Sequence, residues 1–230
     1  YQLKLDRGFY HQYMQNCLHL NNAHPPTPGS MGGGFSDIAH FAGVAASDWS
    51  WGALMFDMDN DGYRDIYVCN GIYQDVIDQD FMDFFANELM QKMVVTGKKD
   101  DIETVINKMP KTPISNYAYK NNKNLTFTNE AKNWGMDEPS FSNGAAYGDL
   151  DNDGDLDLIV NNVNQPAFVY QNNSNKSKEN HFVKVKLKGD GQNKFAVGSV
   201  VELFSGKEIL RQELIPTRGF QSSIDYVMTF

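Results

Sequence analysis

Two aspartate-rich segments of identical spacing constrain this chain more than any other feature. Asp57-Met-Asp-Asn-Asp-Gly-Tyr-Arg-Asp65 and Asp149-Leu-Asp-Asn-Asp-Gly-Asp-Leu-Asp157 both read Asp-x-Asp-x-Asp-Gly-x-x-Asp, and each runs straight into an apolar strand, Ile66 to Cys69 and Leu158 to Val160. Carboxylates at the first, third and fifth positions converge on one point if the chain curls tightly between them. Gly62 and Gly154, at position six, permit the positive φ such a curl demands. Position seven offers a backbone carbonyl, and position nine a fourth carboxylate. This is the donor set of a hard cation, which takes roughly six to eight oxygens at about 2.3–2.6 Å. The expectation is two calcium ions. Asp57, Asp59, Asp61, Tyr63 and Asp65 would hold one, and Asp149, Asp151, Asp153, Asp155 and Asp157 the other.

Other cations fit less well. Magnesium keeps its waters and rarely sits in an all-protein cage, and zinc calls for His or Cys, which neither loop contains. An EF-hand is excluded because no Glu stands at position twelve and a strand follows where a helix is required. With no metal, carboxylates so close would repel by about 1 kcal/mol or more per pair. A metal-free pair of hairpin turns is therefore the weaker reading.

The loops also account for the charge. The net charge is −9, from 29 Asp plus Glu against 20 Lys plus Arg, and nine of the acids lie in the two loops. The remainder balances, so the acidity is local and points to a cation. No run of Lys and Arg offers a phosphate-tracking surface, which excludes nucleic acid as a partner. No stretch approaches the roughly 20 apolar residues of a membrane span. Cys17 and Cys69 leave a disulfide open.

Self-similarity extends beyond the loops. Asn16-Cys-Leu-His-Leu-Asn-Asn22 returns as Asn116-Tyr-Ala-Tyr-Lys-Asn-Asn122, and Phe35 to Gly43 returns as Phe127 to Gly135. A third copy begins at Phe168-Val-Tyr-Gln-Asn-Asn173 and stops. A unit of about 50 residues, built of short strands and Gly/Asn/Asp turns, predicts propeller blades. The Gly/Pro-rich stretch from His24 to Gly34 reads as an exposed loop inserted in the first copy.

Between the copies the texture is helical. Phe81, Phe84, Phe85, Leu89 and Met93 fall on one helical face. Gly97 caps that pattern, and Asp100 opens a second short helix carrying Ile102, Val105, Ile106 and Met109. This insertion, about 73–113, predicts a helical hairpin laid against the repeat body; the alternative is a docking element for another protein. After the Asn/Ser/Lys-rich stretch from Asn172 to Glu179, alternation resumes in His181 to Lys188. Further strands are expected over Val197–Phe204, Ile209–Ile215 and Ser222–Phe230, with Ser205-Gly206-Lys207 as a turn. The expected division is 1–179 for the blades and 180–230 for a β module.

The segments Asp57 to Gly71 and Gly148 to Asn162 resemble the FG-GAP/VCBS repeat family, calcium-loop propeller blades also found in integrin alpha chains. The tail resembles the ASPIC/UnbV domain of cartilage-acidic-protein-like proteins, through Leu187-Lys-Gly-Asp-Gly, Gly198-Ser-Val-Val-Glu and Thr217-Arg-Gly-Phe-Gln-Ser-Ser223. The insertion resembles that of large bacterial surface members of the group. The resemblance implies an all-β chain: a partial β-propeller with a helical insertion and a β-sandwich-like C-terminal module. It also implies a fragment, because two and a fraction repeats cannot close a ring and the family's tail continues past the match to Phe230.

No catalytic constellation stands out in the sequence. His11, His19, His24, His40 and His181 show no metal-ligand spacing and no nucleophile partner, and no nucleophile elbow, phosphate loop or dinucleotide fingerprint occurs. Trp49, Trp51 and Tyr63 flank the first loop and read as core before they read as a sugar platform. The expectation is a non-enzymatic, extracellular or cell-surface scaffold for a protein or glycan ligand. Weak calcium sites fill only where calcium is abundant, which favours the outside of the cell. Two rivals stand: a carbohydrate-active enzyme with its catalytic residues on missing blades, and an accessory subunit of a surface nutrient-uptake assembly.

Overall fold

The computed structural model describes residues 6–8, 15–22, 34–75, 78, 80–81, 83, 87–97, 106–177 and 181–230. Strands dominate. β1 (His19–Asn21) pairs antiparallel with β2 (Phe35–Asp37), and a short helix, α1 (Ala39–Ala42), follows and ends on Gly43 in the left-handed region. The first full blade runs β3 (Ser50–Phe56), β4 (Asp65–Asn70), β5 (Tyr117–Asn121) and β6 (Phe127–Asn129), antiparallel and in chain order. The second runs β7 (Ser142–Gly148), β8 (Asp157–Asn162) and β9 (Phe168–Tyr170). The chain is thus mostly β, a partial propeller in which the described residues close no ring.

The blades explain the strand chemistry. β3 alternates, with Leu54 and Phe56 buried and Trp51 and Met55 partly exposed, as a sheet with one packed face requires. Every residue of β4 is buried, because both of its faces are covered. Tyr67 and Cys69 join Leu54, Phe56, Ala145, Leu158 and Val160 in the core between the two blades. Ile66 and Val68 point the other way, into a cluster with Ala39, Ala42 and Val44. A strand buried on both faces reads as a continuous apolar run.

A polar seam accompanies this core. Asn116 accepts the Asn70 backbone N–H (2.8 Å) and donates to Ser142 Oγ (2.8 Å), which donates to Asn162 Oδ1 (2.7 Å). Asn16, Ser47, Ser50 and Asn70 repeat the arrangement one blade earlier: Asn16 donates to Ser47, whose hydroxyl lies 2.6 Å from that of Ser50. Buried polar groups satisfied this way fix how one blade seats on the next.

The sequence repeats are out of phase with the blades. β1 and β2 match β5 and β6 in sequence, so each sequence copy starts on the outer strands of one blade and ends on the inner strands of the next. Phe168–Tyr170, where a third sequence copy begins, is accordingly the third strand of the second blade. The helical insertion lies inside the first blade, between β4 and β5. It leaves and returns at one neck, where Asp75 donates its backbone N–H to Pro110 at 3.0 Å. Its longest described helix is α2 (Asn87–Thr96), with Leu89 and Met93 on the less exposed face and Val94 and Val95 84% and 85% exposed, and residues 106–108, in the second predicted helix, are helical too. Phe84, Phe85, Asp100, Ile102 and Val105 of the predicted pattern, and most of the stretch from His24 to Gly34, lie outside the described residues. Cys17 and Cys69 are both free thiols, the first exposed and the second fully buried.

The C-terminal module consists of β10 (Lys184–Lys186) paired with β15 (Val227–Thr229), the hairpin β11 (Val200–Ser205)–β12 (Glu208–Glu213), and β13 (Thr217–Arg218) paired with β14 (Ser222–Ser223). The β13–β14 turn lies across both blades. A Cβ at Gly52 would stand 3.1 Å from the Phe220 backbone nitrogen, and one at Gly144 would stand 3.0 Å from Ser222 Oγ. These glycines hold equivalent places in β3 and β7. Trp51 packs its ring 5.1 Å from Phe220 and donates its indole N–H to the Gly71 carbonyl, so it belongs to this contact.

Candidate metal centre

Each acidic loop is the connection of an inner hairpin, β3–β4 or β7–β8. The two are built alike. Asp57 Oδ2 accepts the Gly62 N–H at 2.8 Å, and Asp149 Oδ2 accepts the Gly154 N–H at 2.9 Å. The curl needs two left-handed residues in each loop, Asn60 (φ 56°) with Gly62 (φ 86°), and Asn152 (φ 64°) with Gly154 (φ 98°).

The carboxylates converge as the spacing predicts, though unequally. Asp57, Asp59 and Asp61 bring oxygens within 4.8 Å of one another. In the second loop two overlapping groups do so, Asp149 with Asp151 and Asp157, and Asp151 with Asp153 and Asp155. Asp65 falls outside its group. Both its oxygens hold backbone amides, Met58 N–H at 2.9 Å and Asn121 N–H at 2.8 Å. Asp157 does the same with Leu150 and Asn172. The ninth-position carboxylates are therefore clamps between loop and sheet, a role the spacing did not predict. Asp155, expected to act through its carbonyl, is buried and accepts Ser174 Oγ–H (3.2 Å) and Asn175 N–H (3.0 Å) on its carboxylate. Tyr63 is partly exposed, with Lys123 Nζ 4.7 Å from its ring centre.

Three carboxylate oxygens, Asp59 Oδ1, Asp149 Oδ1 and Asp155 Oδ1, are buried with no hydrogen-bond partner among the described residues. A buried charged oxygen without a partner is costly, and a cation among these side chains would remove that cost. The crowding shows in protonation. Burial, offset by amide hydrogen bonds and reinforced by neighbouring aspartates, pushes Asp57 up to about 6 and Asp65 up to about 7. A shared hydrogen bond with Asp155, then desolvation, lifts Asp153 to about 6. Lysines lie beside both loops: Lys120 donates to Asp59, Lys123 stands 3.3 Å from Asp61, and Lys184 stands 2.6 Å from Asp149. The side-chain donors gathered in both loops are carboxylate oxygens, the class hard divalent cations take.

A third group of ligating atoms escaped the sequence. His19 sits opposite Asp37 in the β1–β2 register, and Cys17 joins them, all exposed and within 4.8 Å. Spacing along the chain could not reveal it, because Asp37 comes from the facing strand.

Comparison with protein-family models agrees with the architecture. Residues 101–160 match the FG-GAP-like repeat, and residues 189–230 match the ASPIC and UnbV domain. The chain thus joins an FG-GAP-like repeat to an ASPIC and UnbV domain, and the repeat points to a secreted or surface protein. The match takes in the whole of the second loop and begins well after the first has ended; the first is tied to it by the common hairpin geometry. No curated protein matches the chain. Among the described residues no helix is long and apolar enough to cross a membrane.

Proposed function

We propose that this chain is a calcium-binding propeller scaffold, extracellular or at a cell surface, that binds a protein or glycan partner and catalyses no reaction. One observation carries the reading: two loops on equivalent hairpins each gather carboxylates and each leave buried oxygens bare. Calcium, when bound, would supply charge neutralisation that locks each hairpin. Asp57, Asp59 and Asp61 would hold it in the first loop, and Asp149, Asp151, Asp153, Asp155 and Asp157 in the second, with Asp65 and Asp157 also fixing the loops to their sheets. The non-enzymatic reading is supported by the way these carboxylates are tied into loop architecture, which leaves them poorly placed to shuttle protons.

Calcium titration by calorimetry tests the metal, and uptake absent up to millimolar calcium would overturn it. A glycan screen of the full-length protein, scored for binding and for turnover, tests the rest. Turnover lost on mutating a residue outside the loops would favour a carbohydrate-active enzyme. An accessory subunit of an uptake assembly is favoured by one feature, the exposed Met90, Val94 and Val95 on α2. A stoichiometric partner lost on deleting 73–113 would support it.

A further inference from the structure

The two loops differ in where their lysines come from. Lys120 and Lys123 belong to the first blade itself, at and after β5. Lys184 belongs to β10 of the C-terminal module. Its Nζ lies 2.6 Å from Asp149 Oδ2 and 3.3 Å from Asn152 Oδ1, and it covers a carboxylate whose side chain is 3% exposed. Phe182, two residues earlier and so on the same face of an extended chain, sits on the loop glycine. A Cβ at Gly154 would lie 2.0 Å from its ring. The strand bearing both is held by the module's own pairing, Lys184 opposite Thr229, with Val183 and Phe230 exchanging backbone hydrogen bonds. The first loop meets the module at its margin, through Arg64 donating to the Arg211 carbonyl at 2.9 Å and Leu210 4.0 Å from a Cβ at Gly62.

Asp149 therefore has one oxygen on a lysine and the other, Oδ1, buried and bare. A cation entering on Oδ1 would stand about 5 Å from the ammonium, where even in water the repulsion between a double and a single charge is worth about a tenfold change in a binding constant. We propose that Lys184 is the module's own counter-cation for the second loop, so that metal binding there and seating of the C-terminal module oppose each other. Among the described residues the first loop carries no such link to the module. This rests on the metal reading above, and adds that the two sites are unequal and that one reports on the position of the module. By linkage the opposition is mutual: whatever Lys184 costs the metal, the metal costs the Lys184 contact.

The test is calcium titration of the whole chain and of three variants, with Asp151→Asn marking which isotherm belongs to the second loop. Lys184→Gln is expected to tighten the second site about tenfold and leave the first unchanged; Lys184→Arg, which keeps the charge, is expected to bind as the parent does. Hydrogen exchange over residues 183–186 and 227–230 gives a second readout: calcium is expected to speed it in the parent and to have no such effect in Lys184→Gln. An unchanged or weaker second site in Lys184→Gln, with calcium still bound, would overturn the proposal and leave the metal reading intact. Failure of the parent chain to take up calcium at either loop would overturn both.

Discussion

Asp157 holds the backbone N–H of Asn172 at 2.8 Å and so ties the exit of the second acidic loop to the end of β9. Asp65 holds Asn121 at the same distance in the first blade. The last carboxylate of each loop thus serves the sheet, and only the earlier ones are left with bare oxygens. Loop and blade are one mechanical unit, so loss of a cation should be felt as loss of stability.

Calcium is expected to raise the melting temperature and a chelator to lower it. At calcium 100-fold above the dissociation constant, each site would add about 2.7 kcal/mol. Asp59→Asn and Asp151→Asn should each remove one ion from the calorimetric stoichiometry.

In chelator the pH dependence has a definite sign. Asp57 and Asp65 titrate at about 6 and about 7 in the fold, above their ordinary value of 3.8. A raised folded value means the native state binds more protons than the unfolded one between those limits. Stability is then greatest near pH 4 and falls as pH rises to about 7. Melting curves across that window, with and without calcium, check it; calcium should flatten the slope.

Asp65→Ala, measured in chelator so that metal plays no part, is expected to cost about 2–4 kcal/mol. It strands the Met58 and Asn121 amides, each of which donates to its own oxygen of the Asp65 carboxyl. Denaturant unfolding reads the loss. A change within error would show that the clamp contributes nothing.

Gly71→Ala probes the blade junction. Gly71 has φ +114°, and an added Cβ would lie 2.7 Å from the Ser140 carbonyl oxygen and 3.0 Å from Phe141 Cα. The substitution should cost about 2–3 kcal/mol. Gly135→Ala, also at positive φ but with open space around it, should cost visibly less.

Much of the blade architecture could be read from the chain because its signals are local. The apolar run Ile66–Cys69 and the glycine at position six each report on a few neighbouring residues. The same holds for the turn at Gly206, with φ 62° between β11 and β12. What escaped reading depends on residues far apart. The second oxygen of Asp65 is taken by Asn121, and no spacing rule reaches that far. Neither the seam from Asn70 through Asn116 to Ser142 nor the placing of Lys184 over Asp149 has a local signature. The phase of the repeats was hidden for another reason: sequence similarity marks equivalent strands but does not say which strands share a sheet.

The neck at Asp75 and Pro110 has a consequence for how this blade can be altered. Because the insertion departs and returns at one hydrogen-bonded point, β4 and β5 meet it as they would an overgrown turn, and the pairing of Ile66 with Tyr119 does not depend on what fills the gap. Closing a longer loop costs only about 0.6 kcal/mol per doubling of its length. The position is therefore a natural graft point, where a foreign domain with neighbouring termini could replace 76–109 and be displayed without disturbing the acidic loop on the β3–β4 side of the same sheet.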